Sequence, residues 1–410
     1  MTAREFDVVV WGATGFTGAL VAEYLLARYG DDAEFRWAIA GRDGNRLAAL
    51  RESLGAGAEA LPSIVADSFD RASLDALAAR TRVVLTTVGP YARYGSDLVA
   101  ACVGAGTHYC DLAGEAQWIR RMIDAHHESA VAAGARIVHA CGFDSVPMDL
   151  GVWFLQREAE RRFGRPCRAI TMLVKATKGG VSGGTLASML NLIEESRADR
   201  EVARTLVDPY GLNPRGERDG PDQRDQQDVR YDDTAGVWTA PFVMAGINTK
   251  IVRRSNALLG YPWGRDFRYR EAVMTGKGLG GRLRGTALAL GLGGFVLGAS
   301  LAPTRALLKR FVLTKPGDGP DRDERESGFF DLRQFGVVDA DTTLRGRVTG
   351  DRDPGYGSTS KMLAECAVCL ARDPIDSGGG VTTPAAAMGD ALLERLQTNA
   401  GLRFEILDSR

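Results

Sequence analysis

A glycine-rich turn near the start of the chain constrains the fold more than any other feature. It follows the apolar run Phe6 to Trp11, opens an amphipathic stretch, and consists of Gly12, Ala13, Thr14, Gly15, Phe16, Thr17 and Gly18. A turn of this kind between a strand and a helix is typical of dinucleotide-binding sheets, where the pyrophosphate lies at the helix N-terminus. The glycines permit a sharp turn, close approach of backbone to phosphate, and tight packing of helix on strand. We therefore predict that these seven residues bind a dinucleotide.

Strand and helix patterns alternate through the first 141 residues. The short apolar runs predict strands at Phe6 to Trp11, Arg36 to Ala40, Ser63 to Ala66, Val83 to Thr87, His108 to Asp111 and Arg136 to Ala140. Between them, amphipathic periodicity predicts helices at about Phe16 to Tyr29, Asn45 to Leu54, Arg71 to Ala79, Ser96 to Ala105 and Ala116 to Ala133. Parallel strands joined by crossover helices form a doubly wound sheet. We predict an α/β fold whose Rossmann domain spans residues 1–145.

The alternation changes after residue 145, which indicates a second domain over residues 146–410. Helices are predicted to about Arg162 and at about Thr185 to Glu195, Ser358 to Ala371 and Pro384 to Leu396, and strands near Ala169 to Ala176, Gly328 to Val338 and Thr342 to Thr349. This mixture predicts an α+β substrate or oligomerisation domain with antiparallel pairing, whose C-terminal helix returns to the Rossmann domain. Residues 208–235 are rich in charge, proline and glycine, which predicts a mobile loop that is a plain insertion, a substrate lid or a partner-binding loop.

The residues that follow the second predicted strand indicate which dinucleotide is bound. An NAD-preferring domain usually places an acidic residue there to bond the ribose 2′-hydroxyl, but this chain has Gly41 and Arg42, with Arg46 one helical turn later. A guanidinium group can grip a 2′-phosphate with charge-assisted hydrogen bonds. We therefore predict NADP(H), bound by Arg42 and Arg46. In the competing interpretation Asp43 binds the ribose, although its position equally suits a helix N-cap.

Three further loops follow the carboxyl ends of predicted strands, where open α/β sheets bind their ligands. Asp67 follows the third strand and is predicted either to approach the adenine or to cap the next helix. The loop after the fourth strand is predicted to run under the nicotinamide and contains Thr87, Gly89, Pro90 and Tyr91. Asp144 and Ser145 follow the sixth strand and are predicted to contact the cofactor or to cap the following helix.

Composition excludes several classes of partner. The chain has 410 residues with 51 basic and 52 acidic side chains, a net charge of −1, and therefore no global field that would attract nucleic acid. Six cysteines spread over a chain without a signal-peptide pattern favour reduced thiols and a cytoplasmic location. Cys366 and Cys369 have the spacing of half a zinc site, but no second half follows, so we expect no metal.

An apolar segment of twenty uncharged residues, numbers 285–304, lies between Arg284 and Arg305. Its length could just span a bilayer. Its glycines weaken a free-standing helix, however, and the elements predicted after residue 328 belong to the same domain. The alternatives are packing within the domain or a homo-oligomer, and a lipid-facing surface that makes the protein a peripheral membrane protein.

The chain resembles the saccharopine dehydrogenase-like oxidoreductases, and within them the mycobacterial trans-acting enoyl reductases. The resemblance covers nearly the whole chain and depends on Gly12 to Gly18, Thr86 to Tyr91, His139 to Pro147, Lys178 to Thr185, Asp353 to Tyr356 and Thr382 to Ala387. It implies an NADPH-dependent reductase that acts on an acyl or polyketide thioester carried by a polyketide synthase, in lipid biosynthesis.

Enoyl reduction requires a group that stabilises an enolate and a group that supplies a proton. The candidates are Tyr91, Lys178 and Tyr356 with Lys361, and Asp144 and Ser145 at the end of the sixth strand. One rival function is a saccharopine-type oxidoreductase acting on a C–N bond, for which Arg253 and Arg254 or the arginines between residues 265 and 270 would clamp carboxylates. Another is an NADP-binding, lipid-associated protein without turnover.

Overall fold

The computed structural model describes residues 4–180, 183–222, 224–301 and 319–409, and its account of side chains leaves out residues 183–187 and 408–409. Two seven-stranded sheets organise these residues. The first is parallel throughout and has the order β13-β6-β5-β4-β1-β2-β3. Its strands are β1 (Phe6–Trp11), β2 (Trp37–Gly41), β3 (Ser63–Val65), β4 (Thr81–Thr86), β5 (His108–Cys110), β6 (Arg136–Val138) and β13 (Gly380–Thr382).

Helices cover both faces of the first sheet, because its central strands are apolar on both sides. All six residues of β1 are buried, as expected for a parallel strand between two helical layers. The crossover helices are α1 (Phe16–Tyr29), α2 (Gly44–Leu54), α3 (Arg71–Arg80), the single turn α4 (Tyr91–Tyr94), α5 (Ser96–Ala105) and α6 (Ala116–Ala133). Helix α7 (Val146–Phe163) then leads out of the sheet toward the second one.

The second sheet is mixed and has the order β14-β12-β11-β7-β10-β9-β8. Strands β7 and β10 pair in parallel, and the other neighbours are antiparallel. Its strands are β7 (Ala169–Lys178), β8 (Arg230–Asp232), β9 (Val237–Ala240), β10 (Arg268–Gly276), β11 (Phe329–Val337), β12 (Thr343–Gly350) and β14 (Leu402–Ser409). The accompanying helices are α8 (Gly183–Ala198), α9 (Arg200–Val207), α10 (Ala245–Leu258), α11 (Gly278–Ser300), α12 (Arg322–Glu326), α13 (Gly357–Arg372) and α14 (Pro384–Asn399).

The C-terminal part of the chain contributes to both sheets. Helix α13 packs on α1 and on β1, β4 and β5 of the first sheet, while β13 extends that sheet beside β6. Helix α14 packs against α7 and α13, and β14 then joins the second sheet. A polar cluster fixes this arrangement, since the buried Glu365 accepts hydrogen bonds from the hydroxyls of Tyr24 and Tyr29, both at 2.7 Å.

The α/β fold class with a parallel Rossmann sheet and a second mixed domain is confirmed. The domain boundary near residue 145 stays a prediction. Residues 208–235 follow a defined path in their described part, with Leu212 and Asn213 buried and β8 paired to β9, and the mobility predicted for them stays a prediction. The six cysteines are free and buried.

Candidate active site

The glycine-rich turn links the end of β1 to the start of α1 and leaves no room for a side chain at Gly12 or Gly18. Gly12 has φ 85°, and a Cβ atom added to it would lie 2.5 Å from Cγ2 of Val88. A Cβ on Gly18 would lie 2.2 Å from the carbonyl oxygen of Gly12, so only glycine lets α1 pack this closely on the turn. Gly15 is the N-cap of α1 and offers no side-chain cap. The first amide groups of α1 therefore lack a capping side chain and suit an anion such as a pyrophosphate.

Two arginines lie beside this turn, at the end of β2. Arg42 is exposed, and Arg46 reaches back to donate a hydrogen bond to the carbonyl oxygen of Thr14 at 3.2 Å. The Asp43 carboxylate is used differently, because it caps α2 by accepting hydrogen bonds from the amides of Asn45 at 2.9 Å and Arg46 at 3.2 Å. This corner therefore carries two cations, and its carboxylate caps the helix; the binding of a 2′-phosphate by Arg42 and Arg46 stays a prediction.

Asp67 lies in the loop after β3 and organises that loop. Its carboxylate accepts a hydrogen bond from the amide of Phe69 at 2.9 Å, and its own amide donates to Oγ of Ser73 at 3.0 Å. The N-cap of α3 is Asp70, three residues later. The ring of Phe69 is 76% exposed and packs edge-on against Tyr94, with 5.7 Å between centroids. Asp67 is thus not the helix cap, and its approach to adenine stays a prediction.

The loop after β4 is fastened to the glycine-rich turn. Oγ1 of Thr87 donates a hydrogen bond to the carbonyl oxygen of Gly12 at 3.2 Å, and Gly89 precedes a cis peptide bond to Pro90. Tyr91, which follows, is buried. Its hydroxyl donates to the carbonyl oxygen of Thr86 at 3.3 Å and accepts from the amide of Leu112 at 3.1 Å. Burial raises the pKa of Tyr91 well above its ordinary value, so the phenol stays protonated and anchors the loop.

The sequence reasoning missed Glu115, which holds the same loop from the other side. Its buried carboxylate accepts hydrogen bonds from the amides of Tyr91 at 2.8 Å and Ala92 at 3.1 Å. A third hydrogen bond, at 3.1 Å, comes from Oγ of Ser188 on α8. Burial raises the pKa of Glu115, although these three donors oppose the shift. Its position shortly after a predicted strand end was the only available signal.

The sequence reasoning also missed a pair of side chains behind this loop. Asp111 follows β5, and His139 follows β6. Both side chains are fully buried, and Nδ1 of His139 lies 2.7 Å from Oδ2 of Asp111. The other carboxylate oxygen accepts hydrogen bonds from the amides of Ala113 at 2.9 Å and Ala140 at 3.1 Å. Ala140 has a φ of 61°, a left-handed conformation that is uncommon for alanine. Asp111 thus fixes the backbone between β6 and α7.

Asp144 and Ser145 complete the carboxyl edge of the sheet. Ser145 is buried, and its Oγ donates to Oδ1 of Asn248 on α10 at 3.1 Å, so it faces the second domain rather than capping α7 through its side chain. Asp144 is half-buried, and no described group donates a hydrogen bond to its carboxylate. Burial, followed by the charge of Asp111, raises the pKa of Asp144 to about 7. Such a carboxyl group is partly protonated near neutral pH.

Tyr356 lies against the glycine-rich turn, although 340 positions separate it from Phe16 in the sequence. The two rings pack edge-on with 4.8 Å between centroids, and the Asp353 carboxylate accepts hydrogen bonds from the amides of Tyr356 at 2.9 Å and Gly357 at 2.7 Å. Lys361 pairs instead with Asp351, at 3.2 Å.

Lys178 lies at the end of β7, where its side chain is exposed and Nζ donates to Oγ of Ser327 at 3.0 Å. The backbone that follows it approaches the Tyr356 loop, since a Cβ on Gly355 would lie 2.5 Å from the carbonyl oxygen of Gly180. Val181 and Ser182 of this glycine-rich stretch lie outside the described residues. The catalytic roles of Lys178, Tyr356 and Tyr91 stay predictions.

Arg253 and Arg254, the carboxylate clamp of the rival C–N interpretation, are used inside the fold. Arg253 forms a buried ion pair with Asp222 at 2.6 Å and donates to the carbonyl oxygen of Tyr269 at 2.9 Å. Arg254 is buried and donates to the carbonyl oxygens of Leu212 and Val381. Neither guanidinium group is left for a substrate carboxylate.

Comparison with known proteins gives the family from the sequence and a similar fold from a solved structure. The model of the saccharopine dehydrogenase NADP-binding domain matches residues 8–138. A Mycobacterium tuberculosis protein, provisionally named a trans-acting enoyl reductase, is 47% identical, with 96% of each chain covered. The trans-acting enoyl reductase of Mycobacterium bovis is 43% identical and that of Mycobacterium leprae 42%, each with the same coverage. The L-Glu-forming saccharopine dehydrogenase of Saccharomyces cerevisiae has a similar fold, with a TM-score of 0.52 at 14% identity over 98% of this chain and 99% of that one.

Proposed function

The chain belongs to the trans-acting enoyl reductase family of saccharopine dehydrogenase-like oxidoreductases, and on that premise we propose that it reduces the carbon–carbon double bond of an acyl or polyketide thioester. It is an NADP-dependent oxidoreductase. The observation that carries the proposal is the convergence of the glycine-rich turn, two arginines and a half-buried carboxyl group of raised pKa at one edge of the parallel sheet.

The cofactor NADP(H) fits the residues at this edge. We assign its pyrophosphate to residues 12–18, because Gly12 and Gly18 leave no room for a side chain and the start of α1 lacks a side-chain cap. The 2′-phosphate belongs to Arg42 and Arg46, and the adenine to the loop of Asp67. The nicotinamide half belongs to Thr87, Gly89 and Pro90, with Asp144 and Ser145 at the neighbouring strand end.

When bound, NADPH would supply a hydride to the β-carbon, and residues of this chain would have to stabilise the enolate and protonate its α-carbon. Asp144 is our choice for the group that protonates the α-carbon, because its carboxylate accepts no hydrogen bond from a described group and its pKa is raised to about 7. The enolate oxygen requires a donor. Lys178 and Tyr356 are the remaining candidates for this contact.

Tyr91 fits a positioning role better than a proton-donating one. Its hydroxyl already donates to the carbonyl oxygen of Thr86 and accepts from Leu112. Together with Glu115, it holds the loop that we assign to the nicotinamide. A rigid loop at this point orients the hydride toward the substrate, which is where positioning lowers a barrier.

The substrate is best described by its chemistry. We propose an unsaturated acyl chain held as a thioester, carried by a polyketide synthase and used in lipid biosynthesis, with the enzyme located in the cytoplasm. The names of the relatives support this partner, since a reductase that acts in trans receives its substrate from another protein.

The test is the consumption of NADPH by the purified protein with three substrate sets. Enoyl thioesters should support oxidation, whereas 2-oxo acids with amines, and buffer alone, should not. Oxidation with only the 2-oxo acid and amine would replace the proposal with C–N chemistry. Binding of NADPH without turnover on any set would replace it with a non-catalytic NADP-binding protein.

A further inference from the structure

Helix α11 exposes a continuous stripe of leucines. Leu279, Leu283, Leu290, Leu297 and the adjoining Leu301 follow one another at spacings of four and seven, which places them on one face of a helix. Their exposed fractions are 77%, 69%, 71%, 66% and 53%. Leu288 and Val296 lie on the other side of the helix, and each is 43% exposed. Contiguous apolar surfaces of this kind are rarely left exposed to water in soluble proteins.

The opposite face of α11 contacts the body of the protein near the two ends of the helix. Near its start, Gly281 and Gly285 are buried against Gly276 and against Val229 with Thr275. Near its end, Ala299 is buried, and Arg197 of α8 donates a hydrogen bond to the carbonyl oxygen of Ser300. A helix held at both ends lies along the surface, with its leucines directed outward.

By length and composition, α11 is apolar enough to lie in contact with a membrane. It has 23 residues, no acidic side chain, and an 18-residue window of mean hydropathy 1.3 of which only 11% is buried. A buried core helix would hide this window, and a signal sequence would lie near the N-terminus. A helix that is apolar nearly all round needs an apolar environment beyond the one the described part of the fold supplies.

Cationic and aromatic groups surround the start of α11. The guanidinium of Arg282 lies 5.4 Å from the ring of Trp238, which packs edge-on against Tyr231 at 5.6 Å. Lys277 and Arg284 add further positive charge. Tryptophan, tyrosine and arginine are enriched where a protein meets the headgroup layer, because one end of each side chain is apolar and the other is polar.

We propose that α11 binds the surface of an anionic lipid bilayer, lying flat with its leucine stripe in the acyl boundary. An anionic bilayer covers the stripe and also pairs with the cations at the helix start, whereas a second copy of the chain, with a net charge of −1, has no global field to attract them. The helix does not carry the chain across, because β10 before it and β11 after it both pair with β7 in one sheet.

This surface is joined to the active site by α8. The C-terminal end of α8 contacts α11 through Arg197, whereas Ser188 donates to Glu115 and Asn191 accepts a hydrogen bond at 3.3 Å from Arg93, next to the predicted nicotinamide loop. An unsaturated acyl chain would therefore reach the site from the lipid layer alongside α8. That consequence rests on the proposed function, whereas the lipid contact itself does not.

Flotation of the full-length protein with vesicles tests the lipid contact. We expect the protein to float with vesicles that contain phosphatidylglycerol. With vesicles of phosphatidylcholine alone, most of the protein should stay at the bottom of the gradient. Changing both Leu290→Glu and Leu297→Glu should lower the partition coefficient roughly 100-fold, because two side chains that would be buried in lipid become charged. Leu407→Glu, at a leucine that is 47% exposed on β14, is the matched control and should float normally.

A second pair of changes tests the charge. Arg282→Gln with Arg284→Gln should reduce binding to anionic vesicles roughly tenfold and leave the residual binding to neutral vesicles unchanged. The proposal is overturned if the unaltered protein fails to float with either vesicle, or if light scattering shows a dimer that the leucine changes dissociate. NADPH oxidation with a short, soluble enoyl thioester should survive the leucine changes, so failure of the lipid contact and failure of the proposed function give different results.

Discussion

We expect Arg42 to decide which dinucleotide is bound, because we assign the 2′-phosphate of NADPH to it. Arg42→Asp should lower kcat/KM for NADPH roughly 10- to 100-fold, because a charge-assisted contact is lost and a repulsive carboxylate takes its place. The value for NADH should change far less. The ratio of the two values is the measurement, and Arg51→Asp near the far end of α2 is the control that should leave it unchanged. Equal losses for both cofactors would contradict the assignment.

Asp144 should give the reaction its dependence on pH. The proton donor must be protonated, and its pKa is raised to about 7, so kcat/KM should be level below about pH 7 and fall above it. Asp144→Asn should lower kcat roughly 100-fold or more and remove this decline, because an amide cannot deliver the proton. Asp144→Glu should restore part of the rate. NADPH affinity, followed by fluorescence, should stay within about threefold.

A decline that persists in the Asp144→Asn variant would assign the titration to another group. An unchanged rate would remove Asp144 from the mechanism altogether.

At the residue scale, sequence reasoning identified the groups that local motifs specify. The glycine-rich turn and the arginines after β2 follow from the strand and helix on either side of them. It did not identify Glu115 or the His139–Asp111 pair, because their role depends on loops that meet only in the folded sheet. We predicted Tyr91 next to the nicotinamide. Its burial could not be predicted from the local sequence, because it depends on Trp118, which stacks on its ring in the folded protein.

Among the elements, the contact between β1 and α1 depends most strictly on one residue. Gly18→Ala would place a methyl group 2.2 Å from the carbonyl oxygen of Gly12, so the turn must move. We expect a loss of about 1–3 kcal/mol in the free energy of unfolding and weaker NADPH binding. Urea unfolding and a fluorescence titration measure the two effects.

Gly104→Ala in α5 is the matched control for this change, because nothing lies within 4 Å of its Cβ position. It should raise the free energy of unfolding by about 0.5–1 kcal/mol, since alanine is a better helix former. If both changes stabilised the protein equally, a methyl group would fit at Gly18, which would contradict the close contact with the carbonyl oxygen of Gly12.

The predicted limits of elements agree best where hydrophobic periodicity is strong. Strand β1 and helices α1, α5 and α6 begin and end where the pattern predicts. Strands β8, β9, β10, β13 and β14 were missed. Strand β13 has only three residues and pairs with β6, more than 240 positions earlier, and β10 begins with Arg268, Tyr269 and Arg270, which read as a charged patch. Pairing over such distances leaves no local pattern in the sequence.

For the molecule as a whole, buried carboxyl groups should make stability depend on pH. Burial raises the pKa of Asp144 and Asp149 to about 7 and that of Glu271 to about 8. Because the pKa values of these carboxyl groups are higher in the folded protein than in the unfolded chain, the folded protein holds more protons than the unfolded chain between about pH 4 and pH 8. The free energy of unfolding should therefore fall as the pH rises through that window. The Tm should therefore decrease by a few degrees from about pH 5 to about pH 8.

The variants Asp149→Asn and Glu271→Gln should make this pH profile flatter. A Tm that rises across the same window would contradict the burial of these groups as carboxylic acids.

The central claim is that this molecule moves a hydride from NADPH to the β-carbon of an enoyl thioester. NADPH that carries deuterium on the transferred position of its nicotinamide tests it most directly, with mass spectrometry of the reduced acyl product. The account predicts one deuterium on the β-carbon in ordinary water, and in heavy water with ordinary NADPH one deuterium on the α-carbon. A product without deuterium from the cofactor, or an acyl chain that stays unsaturated while NADPH is consumed, would contradict it.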